Sequence, residues 1–226
     1  MLIKKNNARQ RSGIREKTGM EYEYGQYWDR CWQEENVADL FRYLDGYYQL
    51  KSEEIEFFKQ NGINSVCDAA CGFGAYSLAY ASNGFKVSGF DISETAVQMS
   101  TNALQKYEID ADIKIASVLH TGYKDASFDG VIAHAILDHL TVEDAKRALI
   151  ELLRIMRRDG LIMISFDIPE EDDFTETHIL LEDGTMQYTC ENRSGMLFHP
   201  YDWKAIEELT QDYDFGGTYL KANTKK

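Results

Sequence analysis

The chain has 226 residues, 44% hydrophobic and 27% charged, which is enough for one large α/β core and short for two independent enzyme domains. Its net charge of −14, from 38 acidic against 24 basic side chains, works against any partner held by phosphate neutralisation, so nucleic acid is not expected. No secretory h-region opens the chain and no apolar run approaches the roughly 20 residues of a membrane span, so a cytoplasmic protein with no membrane partner is expected.

Residues 1–19 are polar and basic, with Lys4, Lys5, Arg9, Arg11, Arg15 and Lys17 against Glu16, and lack apolar periodicity. They read as a disordered tail. Residues 20–60 hold the densest aromatic stretch, including Tyr22, Tyr24, Tyr27, Trp28, Trp32, Phe41, Tyr43, Tyr47 and Tyr48. Spacings such as Trp28 to Trp32 suit helices that bury one face.

From residue 61 to 226 short apolar runs alternate with helical patterns, the signature of parallel βαβ units. Strands are predicted over 65–69, 86–91, 112–118, 128–134 and 161–168, with helices over 75–83, 94–107 and 142–157. Ser93 is placed to cap the second of these helices, and Thr141-Val142-Glu143-Asp144 starts the third in a capping-box-like way. An insertion near 169–201 follows the fifth strand, with Asp183-Gly184 marking a hairpin turn. A helix near 202–209 and a strand near 215–221 end the pattern. The predicted fold is a Rossmann-like, doubly wound α/β domain with a mostly parallel sheet, an N-terminal helical lid and a β-hairpin insertion.

Chemistry enters at Asp68-Ala69-Ala70-Cys71-Gly72-Phe73-Gly74, where a buried strand ends in an acid and breaks into a glycine turn before a helix. Such a turn points backbone N–H groups and a helix N-terminus at a ligand, because glycine leaves no Cβ in the way. The next strand, Val87-Ser88-Gly89-Phe90-Asp91-Ile92, also ends in an acid, and a carboxylate there can accept from two ribose hydroxyls. The two together point to an adenosine-containing ligand at the carboxyl ends of the strands.

These motifs, D-A-A-C-G-F-G followed by G-F-D-I-S, resemble the class I S-adenosylmethionine-dependent methyltransferases. The resemblance runs from about residue 55 to 168 and departs from the common pattern at Ala70, where a glycine often stands. It implies S-adenosylmethionine as cofactor, S-adenosylhomocysteine as product and no metal. Asp68 would shape the loop at the methionine amino end, and the backbone at Ala70, Cys71, Gly72 and Gly74 would line the ligand. Asp91 would hold the ribose and Ile92 would pack on adenine. Ser117 stands where many members carry an acid for the adenine amino group, so the Val118 N–H becomes an adenine contact.

The fourth predicted strand, Phe128-Asp129-Gly130-Val131-Ile132-Ala133-His134, resembles the family's F-D-x-V strand and would end beside the transferable methyl. His134 is then the best-placed base, with Asp138 and His139 behind it. Tyr27 and Trp28 are candidates for lid rings facing a sulfonium, through cation–π attraction. His199 and Tyr201 in the insertion are candidate acceptor contacts.

The implied activity is methyl transfer to a neutral or cationic small molecule; the alternative is a non-catalytic cofactor-binding domain with a regulatory or interaction role. A nicotinamide enzyme would need G-x-G-x-x-G, and Gly72-Phe73-Gly74-Ala75-Tyr76-Ser77 departs from it. Cys31, Cys67, Cys71 and Cys190 lack C-x-x-C spacing and read as reduced thiols. The family's sheet closes with an antiparallel hairpin, whereas one late strand is visible here. Either the chain stops short of the last strand, or 179–181 or 186–190 substitutes for it.

Overall fold

The computed structural model describes residues 2–5, 19–213 and 215–219. The N-terminal elements are β1 (Leu2–Lys5), α1 (Gly19–Glu34), α2 (Val37–Asp45) and α3 (Glu53–Gln60). Asn36 and Ser52 cap α2 and α3 by accepting from the Ala38 and Ile55 N–H groups. The alternating core follows as β2 (Ser65–Ala69), α4 (Ala75–Ala81), β3 (Lys86–Asp91), α5 (Glu94–Lys106), β4 (Asp112–Ile115), β5 (Phe128–His134), α6 (Val142–Ile155) and β6 (Met156–Ser165).

The main sheet runs β4, β3, β2, β5, β6, and those five strands are parallel. Both faces are covered, which explains why the strands read as apolar runs. Ala145, Ala148, Leu149 and Leu152 of α6 pack on one face against Cys67, Val131 and Ile162. Phe58 of α3 and Tyr80 of α4 pack on the other against Val66, Val87 and Ile132. Chain order reverses at β2, and the crevice beyond the carboxyl ends of β2, β3 and β5 is where such sheets bind ligands.

Beyond β6 lie α7 (Glu171–Thr175), a small antiparallel sheet of β7 (His178–Leu180), β8 (Met186–Tyr188) and β9 (Leu197–Phe198), then α8 (Trp203–Thr210) and β10 (Phe215–Tyr219). The Asp-Gly turn forms as expected between β7 and β8, with Gly184 at φ +85°. Asp183 anchors it to α6, accepting from the Val142 N–H at 2.8 Å. The insertion thus adds a third strand, β9, to the predicted hairpin.

Sheet closure differs from expectation. Neither 179–181 nor 186–190 joins the main sheet; β1 lies antiparallel between β6 and β10. Residues 2–5 are therefore a sheet strand and not part of a tail, while 6–18 lie outside the described residues. The sequence hides this because Leu2-Ile3-Lys4-Lys5 is too short to show a period, and its partners Leu161–Met163 lie more than 150 residues away.

Two boundaries also shift. β4 ends at Ile115, three residues early, because the Ala116 N–H bonds to the Asp91 carbonyl at 2.9 Å and the chain turns across the end of β3. β6 starts at Met156, five residues early, through an irregular pairing with Phe128 ahead of the regular register at Gly130 and Leu161.

Candidate active site

A cavity of about 330 Å³ opens at the reversal point of the sheet, beneath α1 and α2. Its floor is the turn between β2 and α4. Ala70, Gly72 and Gly74 all adopt left-handed backbone, at φ +51°, +52° and +89°. Gly72 has a second constraint: a Cβ there would lie 2.8 Å from Trp32 Cζ2 of α1. Gly74, expected in the lining, stands outside it: it caps α4 with φ +89°, and a Cβ there would meet Ser100 of α5 at 2.9 Å, so its role is to fold the loop. Ala70 takes the same conformation with a Cβ, at a cost of about 1–2 kcal/mol.

Two carboxylates stand at the strand ends. Asp68 closes β2, buried, and accepts from the Ser77 hydroxyl at 2.7 Å. Burial pushes its pKa up to about 7, and the nearby Asp91 charge adds to the effect. Asp91, also buried, is gripped from two sides: the Gly72 N–H donates to Oδ2 at 2.9 Å and the Ser93 N–H to Oδ1 at 2.9 Å. Burial raises its pKa as well, against these two bonds. Each oxygen keeps a lone pair for a further donor, the arrangement that two vicinal hydroxyls require.

The second wall is formed by Ile92, Ser117, Val118 and Leu119, where the chain turns after β4. The Ser117 hydroxyl accepts from the Leu119 N–H at 3.1 Å. His134, at the end of β5, lies on the opposite wall with its ring 4.5 Å from that of Tyr76. The side facing the open cavity is exposed, while the surrounding walls desolvate the ring and lower its pKa, partly offset by the Asp167 charge. It is thus held neutral near pH 7, with a lone pair available.

The roof comes from the aromatic segment. Tyr24, Trp28, Trp32, Tyr43 and Tyr47 reach the cavity. Trp28 stands edge-on to His139 at 5.0 Å, and Trp32 packs against Phe73 at 5.7 Å. Asp29 ties α1 down, its Oδ1 accepting from the Ser93 hydroxyl at 2.6 Å and from the Thr95 N–H at 2.9 Å. These bonds hold its pKa below the usual carboxylate range. On the far side the Arg30 guanidinium donates to the Ser194 carbonyl at 2.6 Å, joining the roof to the insertion.

Of the residues expected from sequence, Trp28, Asp68, Ala70, Cys71, Gly72, Asp91, Ile92, Ser117, Val118 and His134 meet around this cavity. Cys71 is buried and its thiol is pushed well up by burial and by Asp68, so it acts as wall and not as nucleophile. Tyr27 lies one layer out, buried against Trp28 with the Arg30 guanidinium over its ring. His199 and Tyr201 lie in and after the insertion, their rings 4.7 Å apart and outside the cavity lining. His199 is engaged with the Thr185 hydroxyl at 3.2 Å. Trp32, Tyr43, Tyr47 and Tyr76 also line the cavity and were not assigned to the site from sequence; the Trp28 to Trp32 spacing of one helical turn is the signal that points to the first of them.

Residues 67–164 match the family model described as a methyltransferase domain. The chain therefore carries a methyltransferase domain over these residues, less than half of its length. An S-adenosylmethionine-dependent methyltransferase structure from Methanosarcina mazei superposes on this methyltransferase fold with a TM-score of 0.61 at 20% identity, over 72% of this chain and 84% of that one. Among curated proteins, an uncharacterized protein of Haemophilus influenzae is 29% identical over 101 residues, 43% of this chain and 40% of that protein. A tRNA (carboxymethyluridine(34)-5-O)-methyltransferase of Arabidopsis thaliana is 28% identical over 109 residues, 48% of this chain and 25% of that one. The methyltransferase chain spans less than two thirds of the length of these curated relatives. The Arabidopsis protein acts on tRNA by name, which runs against the exclusion of nucleic acid drawn from net charge. Among the described residues, no helix is long and apolar enough to cross a membrane.

Proposed function

We propose that the protein transfers the methyl group of S-adenosylmethionine to a neutral or cationic small molecule. The observation that carries this reading is the double grip on Asp91 by the Gly72 and Ser93 N–H groups, which aims a preorganised carboxylate at the place where a ribose would lie. The cradle fits the cofactor in a second respect. Gly72, lacking a Cβ, lets the Trp32 ring pack directly on the loop, so backbone and ring stand together at the edge of the space a methionine chain would take.

When bound, S-adenosylmethionine supplies both the methyl group and the sulfonium leaving group. The chain's own residues then have positioning tasks. Asp91 orients the ribose, Ile92 and the turn at Ser117 and Val118 flank the adenine, and Asp68 faces the amino end. Trp28 and Trp32 line the cavity with aromatic surface that excludes water and, through a ring face, would attract a cation. In-line displacement from a sulfonium gains most from orientation, so a neutral His134 at the cavity wall serves as acceptor contact, and as base where the acceptor must lose a proton.

The acceptor class follows from the lining. Among the described residues around the cavity there is no lysine or arginine, while aliphatic residues are joined by four tyrosines, two tryptophans and two histidines. A polyanionic phosphate would find no side-chain counter-charge there; an aromatic, neutral or cationic molecule would be accommodated. Cytoplasmic location accords with the reduced cysteines and is part of the same reading.

The test is incubation of the purified protein with labelled S-adenosylmethionine and separate small-molecule and RNA fractions of a cell extract. Label is expected in the small-molecule fraction together with S-adenosylhomocysteine. Label in RNA would overturn the acceptor class, and cofactor binding with no turnover in any fraction would favour a regulatory binding domain.

A further inference from the structure

At the edge of the cavity, the turn after β5 and the end of β6 bring together Asp138, His139 and Asp167, of which only His139 reaches the lining. Asp138 is fully buried; its Oδ2 accepts from the Asp167 N–H at 2.7 Å, and its Oδ1 has no hydrogen-bond partner. A buried carboxylate oxygen left without a donor or cation carries its full desolvation cost, so such atoms call for an explanation. His139, the next residue, places Nδ1 3.0 Å from the Leu197 carbonyl of β9. A carbonyl only accepts, so Nδ1 carries the proton and Nε2 presents its lone pair on the other side, 3.9 Å from Asp167 Oδ2. One potential ligand atom from each of Asp138, His139 and Asp167 lies within 4.8 Å of the other two.

We propose that Asp138, His139 and Asp167 bind one divalent first-row transition cation. The donor set of two carboxylate oxygens and a neutral imidazole matches Mn²⁺, Fe²⁺ or Zn²⁺ better than the all-oxygen shells of Ca²⁺ or Mg²⁺. The bond from Nδ1 to a backbone carbonyl is the outer contact that fixes the tautomer and aims Nε2 in metal-binding histidines. Two ligands are rigid: Asp138 is held by its bond from the Asp167 N–H and by its carbonyl, which accepts from the His199 N–H at 2.7 Å. The third is adjustable. The Asp167 side chain is 60% exposed, free to close the remaining distance to ligand spacings of about 3–4 Å. His139 also lines the cavity, so a cation held here would stand at its edge.

The experiment is titration of the chelator-treated full chain with MnCl₂, following free Mn²⁺ by electron paramagnetic resonance and thermal unfolding in parallel. One Mn²⁺ per chain is expected, with a rise in melting temperature. Asp167→Asn and His139→Gln should each weaken binding by about tenfold or more. Asp138 is fully buried and a change there perturbs the core, so the exposed Asp167→Asn carries the decision, with its metal-free melting curve checked against wild type. Absence of Mn²⁺ binding at millimolar concentration, or binding unchanged in both variants, overturns the proposal. The readout does not depend on methyl transfer, so failure here leaves the reading of the cofactor site standing.

Discussion

The floor and the roof of the cavity are built on different terms. The floor is formed where β2 and β3 end, and its polar groups are satisfied locally: Asp91 by N–H groups 2 and 19 residues away, Asp68 by Ser77, 9 residues away. The roof is α1, held to the floor by contacts of long sequence separation, such as Asp29 to Ser93 and Thr95 and Tyr24 to Asp144. Rigid polar groups are thus concentrated where a ligand must be oriented. Broad aromatic surface, which contributes without precise direction, covers the other side.

If orientation lies in the floor, Asp91→Ala should have the largest effect on cofactor affinity. Loss of two charge-assisted hydrogen bonds at about 1.5–3 kcal/mol each predicts a fall of about 100-fold or more in S-adenosylmethionine affinity by calorimetry. A change below threefold would break the contrast between floor and roof.

Asp68 tests the floor's electrostatics. Its folded pKa, about 7, stands above the unfolded carboxylate value of about 3.9. The wild type is therefore relatively more stable at low pH, and it loses stability as ionisation sets in between about pH 4 and pH 7. Against Asp68→Asn, which can still accept from Ser77, cofactor-free wild type should lose about 1.4 kcal/mol per pH unit across that window and nothing further above it. Parallel denaturation curves of the two proteins from pH 5 to pH 8 would disprove this.

The contact between floor and roof can be probed by Gly72→Ala. The new Cβ meets the Trp32 ring, and the left-handed backbone adds its own strain, so a stability loss of about 2–4 kcal/mol is expected. In a Trp32→Ala background the same change should cost only the backbone share, about 1–2 kcal/mol. Equal costs in both backgrounds would mean that the roof does not press on the loop. The smallest effect belongs to the roof itself: Trp28→Ala should weaken cofactor binding about 3- to 30-fold, the range of a cation–π contact of about 0.5–2 kcal/mol. A loss as large as that of Asp91→Ala would reverse the ranking.

The floor was legible in the sequence because each of its parts is a local pattern. Strand ends at Ala69, Asp91 and His134 coincide with the predicted ones, since a buried run broken by glycine or by a capping serine defines its own boundary. The roof was legible as composition only. Aromatic richness marked residues 20–60, but a helical aromatic stripe does not state which ring faces the ligand; Trp28 reaches the cavity and its neighbour Tyr27 does not. The insertion shows the same limit. Its Asp-Gly turn was readable, while the engagement of His199 with Thr185, outside the cavity lining, follows from the pairing of β8 with β9, which sets the two opposite each other.

By itself the sequence determined the five parallel strands, the glycine loop and the two strand-end acids, because periodicity, left-handed glycine and helix capping act over a few residues. The tertiary structure decided which aromatic rings meet the cavity, that β1 completes the sheet between β6 and β10, and that Asp138, His139 and Asp167 converge. Those outcomes rest on contacts between segments 28 to more than 150 residues apart, where the free energy comes from packing and no local pattern records the partner.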